Sequence, residues 1–331
     1  MRLTTSPLAL LPALLPALLL ALAPPSAAQQ PKPPQQKPPQ QTRNVDQRYP
    51  LAQGAALRIY GSFASVKVVG WERDSVVVTG TVAAGDQFFT GGTESGRKFG
   101  LESAAGASGT GADPRSARLE FRVPSRARVW VKTGSADVEV SGVAGGLDLN
   151  IVGGSIRVTG SPRELTAEAM DGDIDVSGTV PWLRAKTAGG AIRATVRGED
   201  IGLSSVSGRL TLTEGKPDAK ASPGGGAAPR PFQRVRLETV TGDITFSGAV
   251  DAGGRLDADS HSGAIEVALP ADQSADFALT NITGDIRTDF KRAQPGGGAE
   301  LRSRELVFTT RGGGADISVR NFKGPVVVKK Q

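Results

Sequence analysis

The feature that most restricts what this chain can fold into is a numerical recurrence. A Gly-x-aliphatic-x-aliphatic unit places its first aliphatic residue at Val138, Ile156, Ile174, Ile192 and Leu210, each eighteen residues after the last. The unit resumes at Ile244, Ile265 and Ile286, and once more at Ile317. Nine residues before most of these anchors stands another apolar residue, as at Val129, Leu147, Leu165, Leu183, Ile201 and Val235. A fixed period of this length marks a repeat architecture. Inside each half unit apolar and polar residues alternate, as in Leu147-x-Leu149 and Ile156-x-Val158, which is the pattern of strands with one buried face. Gly stands two places before the anchor at Gly154, Gly172, Gly190, Gly208, Gly242, Gly263 and Gly284, where a tight corner is expected to need positive φ. Ala136 and Ala315 take that place at two anchors, so those corners are expected to differ.

Two short strands per unit could pair as a hairpin, giving a meander, or stack on the next unit, giving a coil. In a parallel in-register stack, equivalent residues become neighbours and like charges repel. The place after the anchor reads Glu139, Arg157, Asp175, Arg193, and the place three after it reads Ser141, Thr159, Ser177, Thr195, Thr213. Alternating signs and a hydroxyl row favour the stack. The expected fold is all-β: a single parallel β-solenoid with about eighteen residues per coil and two short strands in each. Weaker repeats at Leu57-x-Ile59, Val66-x-Val68, Val76-x-Val78 and Leu119-x-Phe121 extend it to roughly nine or ten coils, a rod about 45 Å long with two open ends. Lysines and a proline around Val326-Val327-Val328 are read as guarding the last end. One point stays open: Val152, Met170, Val206, Val240 and Ile282 directly follow the small polar row that includes Thr187, Ser205 and Thr239, and only one of each pair can face inward.

Composition agrees with a thin core, with 43 Gly and 5% aromatic residues. Residues 1–28 read as a secretory signal peptide, with Arg2, an apolar run from Leu8 to Leu22 and small residues ending in Ala27-Ala28. Residues 29–48 read as a Pro/Gln-rich disordered tether, and 49–331 as the repeat domain, with loop inserts near 85–115, 214–231 and 291–299. The absence of cysteine excludes disulfides, thiolate metal sites and a lipid-modified N-terminal Cys. The net charge of +6 is scattered and not gathered into a stripe, which argues against nucleic acid. The protein is therefore expected outside the cytoplasm, whether periplasmic, at the cell surface or secreted.

The candidate chemistry is sparse. Asp257, Asp259 and His261 hold the one histidine beside two acids, the set a β-helix polysaccharide lyase or hydrolase would need for acid/base work. A surface ion pair with Arg236 or Arg255 is the plainer reading. Asp171, Asp173 and Asp175 alternate as in a calcium loop, yet lack its remaining ligands, so no metal or cofactor is expected. Trp71, Trp130 and Trp182, with Phe88 and Phe89, are the aromatic candidates for stacking on a sugar.

The Thr241-Gly242-Asp243-Ile244 and Thr283-Gly284-Asp285-Ile286 units, the Val123-Pro124 step and the signal peptide together resemble the bacterial putative-adhesin family of β-strand-repeat domains of unknown function. The resemblance runs from about Leu51 to Lys329. It implies a β-solenoid at or beyond the cell envelope and carries over no catalytic residue. The expected function is a non-enzymatic envelope or extracellular scaffold, adhesin-like, whose partner is a glycan, an envelope polymer or another surface protein.

Overall fold

The computed structural model describes residues 42–102, 117–216, 231–290 and 304–331. The signal peptide, residues 29–41 of the tether and the insert residues 103–115, 217–230 and 291–299 lie outside the described residues. Among the described residues, twenty-four strands join into one sheet.

Through the middle of the chain, residues eighteen apart are register partners on parallel strands. In a first ladder, Leu147 in the strand Gly146–Gly160 pairs with Leu165, Leu165 with Leu183, Leu183 with Ile201, and Ile201 with Val235. In a second ladder, Ile156 pairs with Ile174, Ile174 with Ile192, and Ile192 with Leu210. The strands Arg128–Ser141 and Gly146–Gly160 run through the corner and belong to both ladders. Period-two alternation turns these aliphatics inward, and the nine just named are at most 3% exposed. Each contributes about 1.5–3 kcal/mol by burial.

The corner between the ladders shows why the small polar row exists. Thr187 Oγ1 donates to the carbonyl of Gly172 (3.1 Å) and accepts from the N–H of Gly190 (3.2 Å). Ser205 repeats this with Gly190 (3.4 Å) and Gly208 (2.9 Å), and Ser260 with Gly242 (3.3 Å) and Gly263 (3.0 Å). A buried hydroxyl thus satisfies one donor and one acceptor at the turn. The open point is settled: the hydroxyls face inward, and Val152, Met170, Val206 and Val240 form an exposed row, 47–57% accessible. The glycines at this corner do not serve the purpose expected of them. Of the seven predicted corner glycines only Gly154 has positive φ. At Gly190, Gly208, Gly242 and Gly263 a Cβ would instead overlap the carbonyl of the equivalent glycine one row away. Close stacking, not left-handed backbone, demands glycine there.

The described residues are all-β, with one mixed sheet curled barrel-like around a single core. The expectation of a single parallel β-solenoid of repeated coils from end to end is wrong. Four strand pairings are antiparallel and lie toward the two ends. Ser75–Ala83, expected as a coil, runs antiparallel to Arg118–Pro124, and Thr42–Pro50 covers its other edge. That last strand begins inside the segment read as tether. The insert near 85–115 contains the antiparallel strands Gln87–Thr93 and Gly96–Glu102. Nor does the winding follow chain order. Val250–Ser260 pairs with Ala315–Asn321, and Ala275–Asn281 lies beyond it, capped by the antiparallel Glu305–Thr310. Ile317 therefore sits in the first ladder, opposite Leu256. The second-ladder residue is Val326, whose strand is interior, between Ile265–Leu269 and Ile286–Thr288, and guards no end.

The physical reason is the edge. An open coil end leaves a row of unpaired N–H and C=O groups; antiparallel strands cover three of the four ladder ends, the fourth finishing on the short parallel strand Ile286–Thr288, and aromatic rings plug the core beneath them. Phe99 packs on Phe121 (5.4 Å) near one end and Phe277 on Phe308 (4.5 Å) near the other.

Gly208→Ala should lower unfolding stability by about 2 kcal/mol or more, because backbone must shift on both rows. Gly134→Ala, where an added Cβ meets nothing within 4 Å, should be near neutral. Equal unfolding midpoints for the two variants in denaturant would remove close stacking as the corner's determinant.

Candidate functional site

The outward places of the first ladder line up in rows as strictly as the inward ones. One outward column reads Trp130, Asp148, Thr166, Arg184, Gly202, Arg236, Asp257. The column before it contains Arg128, Gly146, Glu164, Trp182, Asp200 and Arg234. Two glycines stand at places where the alternation turns side chains outward, and a neighbouring side chain lies over each, Glu164 over Gly146 and Arg184 over Gly202, a close approach of the kind glycine permits in a strand.

Four hollows follow one another along the face. The first, about 430 Å³, lies between Tyr60, Trp130, Lys132 and Asn150. The second, about 240 Å³, lies between Trp130 and Trp182 over Gly146 and Thr166. The third, about 470 Å³, is lined by Gly202, Arg184, Lys186, Arg236 and Glu238. The fourth, about 560 Å³, is bounded by Val206, Val240, Ile282 and Phe322. Neighbouring hollows share Trp130 and Asp148, then Thr166, then Ser204 and Glu238. Together they form one trough. From Tyr60 through Lys132, Glu168, Ser204 and Arg320 to Thr280 it crosses nine register steps, roughly 43 Å at the usual strand spacing.

Ion pairs fix its walls. Arg184 lies across Gly202 and donates to Asp200 Oδ1 (2.8 Å) and to the carbonyl oxygens of Leu183 and Asp200, while its guanidinium covers the Trp182 ring at 4.6 Å. Asp200 also accepts twice from Arg234 on the next strand (2.8 and 3.0 Å). These two columns make one network, with Asp200 as its partly buried centre. The Asp148 carboxyl is held above the usual aspartate range. Partial loss of water is the main cause and the charge of Glu168 adds to it, while hydrogen bonding from Trp130 pulls the other way.

The structure separates the residues singled out from the sequence. Trp130 and Trp182 both line the second hollow. Trp71 lies on the strand Ser65–Trp71, and its indole donates to the carbonyl of Ser75 (2.8 Å) under Arg73. Phe88 and Phe89 are half-buried packing residues, Phe88 stacked on Phe99 and Phe89 edge-on to Tyr60. Asp257 is held by Arg255 (2.7 Å) and Asp259 by Arg320 (2.7 Å). His261 lies past the corner, stacked on Phe322 at 4.8 Å, so the three do not converge on one point. Asp175 bridges Arg157 and Arg193 (3.6 and 3.5 Å). Asp173 accepts from the N–H of Ala191 (2.8 Å), as Asp243 does from Ala264 (3.0 Å), which gives the recurrent Gly-Asp-Ile unit a structural role. Gly146, Gly202 and the Arg184–Asp200–Arg234 network were missed. Their signal was present in Ile201-Gly202-Leu203, a glycine between two inward residues of a strand.

An acid whose pKa rises on folding is penalised when ionised. That cost is fully present above the folded value and disappears as pH falls below the unfolded one, ordinarily about 3.9 for aspartate. Asp148→Asn should therefore raise Tm at pH 7 and match the wild type near pH ~3. Thermal unfolding at both pH values reads this directly; an unchanged or lower Tm at neutral pH would contradict the assignment.

No family model matches the chain, and no curated protein matches it. Among solved structures it is similar to a "putative adhesin" from Bacteroides fragilis, at 10% identity over 87% of this chain and 97% of that one, with a TM-score of 0.43. It is similar also to a "putative lipid binding protein" from Parabacteroides distasonis, at 11% identity over 87% and 96%, with a TM-score of 0.36. A third is a "putative cell adhesion protein" from Clostridium sporogenes, at 7% identity over 87% and 100%, with a TM-score of 0.26.

Proposed function

We propose that this chain is an exported, non-enzymatic binding module that holds an extended polymer of the cell envelope or its surroundings along the trough. The single observation that supports this is continuity. The four hollows share lining residues over some ten strands, whereas a small-molecule site is usually one enclosed pocket. A rigid sheet backs the whole length, so a bound chain meets a preformed surface. Residues 1–28 act as the export signal in this reading, and the Pro/Gln-rich stretch after them spaces the domain from its point of attachment. The alternative, a polysaccharide-cleaving enzyme using Asp257, Asp259 and His261, is disfavoured by the arginines clamped on both carboxylates.

The test is cosedimentation of the full chain with isolated bacterial envelopes and with purified envelope polysaccharides, together with an assay for new reducing ends. Binding without chain cleavage is expected. Gly202→Phe, which pushes the partly exposed Arg184 side chain off the strand and into the third hollow, should weaken binding by about tenfold or more with Tm little changed. A wild-type protein that binds none of these materials, or that releases reducing ends, would overturn the proposal.

A further inference from the structure

The second hollow points to the chemistry of the polymer, and the inference rests on the binding-module reading above. Trp130 and Trp182 stand on the same outward face three register steps apart, roughly 14 Å along the stack. Each ring has a guanidinium on one side, Arg58 over Trp130 at 5.3 Å and Arg184 over Trp182 at 4.6 Å, and a guanidinium covers one ring face only. Between the rings lie Asp148, Glu164 and Thr166 with Arg128 at the margin. Glu164 lies flat across Gly146, where an added Cβ would come 2.6 Å from Glu164 Oε1, and this holds its carboxylate between the two rings.

We infer that this hollow binds a neutral pyranose chain, with sugar faces stacked on Trp130 and Trp182 and hydroxyls bonded to Asp148, Glu164 and Thr166. Flat apolar rings flanking polar acceptors match a saccharide, which is apolar on its C–H face and polar at its rim. A peptide added as a strand does not fit, because the backbone groups of these strands are already paired on both sides. An acidic polymer fits less well: the hollow is lined by Asp148 and Glu164 against Arg128, Glu164 is already paired with Arg163 at 3.7 Å, and an added anionic group would be desolvated beside two carboxylates. The adjoining hollow beyond Trp130, with Tyr60 and Asn150, offers the same kind of surface to the next sugars in the chain.

The experiment is calorimetric titration of the full chain with cellohexaose and chitohexaose, and with an oligogalacturonate of equal length as the acidic comparison. Binding of at least one neutral hexasaccharide is expected, with the acidic one weaker. Trp130→Ala and Trp182→Ala should each lose about tenfold or more in affinity, while Trp71→Phe, away from the hollow, should bind as the wild type. Glu164→Gln, which leaves the rings and the fold untouched, should also weaken binding and so separates lost contacts from lost structure. Binding of envelopes that is indifferent to all three substitutions at the hollow would overturn this inference and leave the polymer-binding reading standing. A preference for the oligogalacturonate would also overturn it, and an absence of binding to any envelope material would overturn both.

Discussion

The structure depends on one close contact, the stacking of a corner glycine on the carbonyl of the equivalent glycine in the next row. Because a Cβ at Gly190, Gly208, Gly242 or Gly263 would overlap that carbonyl, each row can approach its neighbour at the corner only at this residue. The buried hydroxyl three residues before it fixes the turn by donating and accepting at once. An unsatisfied group there would cost about 1–3 kcal/mol. With the corner pinned, both ladders are in register without further adjustment, and every side chain on every outward strand falls into a straight column.

Straight columns turn sequence composition into surface relief. A glycine in an outward place lets the neighbouring long side chain lie flat, as Glu164 does over Gly146 and Arg184 over Gly202, and a run of opposite charges becomes a wall, as at Arg184, Asp200 and Arg234. Exposed ion pairs of this kind add little to stability, about 0–1 kcal/mol each. Their effect is on shape and potential: they hold long side chains down against the sheet and leave the face close to neutral despite its many charges.

Much of the middle of the fold was legible because it is periodic. The eighteen-residue spacing of Leu147, Leu165, Leu183 and Ile201 forces register partners, and the pairs are observed. The corners were located correctly, but the reason for their glycines was not, because a sequence records the absence of a side chain and not what would collide with it. The ends were misread. Ser75–Ala83 alternates like the interior strands, and alternation reports one buried face without reporting the direction of the neighbour. Ile317 follows a Gly-rich run like an anchor and is a first-ladder residue, since Ala315–Asn321 intervenes between two stretches that precede it in the chain. At the candidate site, Trp130 and Trp182 were named from type alone. Their meeting across Asp148 and Glu164 required knowing that 130, 148, 164 and 182 share one side of one sheet.

The antiparallel strands that close the sheet give the molecule a fixed gauge. A winding with bare ends could add subunits without limit, whereas here the number of rows between the two covers is written into the gene. Inserting or deleting one eighteen-residue unit in the interior would change the reach of the trough by a single step and leave both covers as they are.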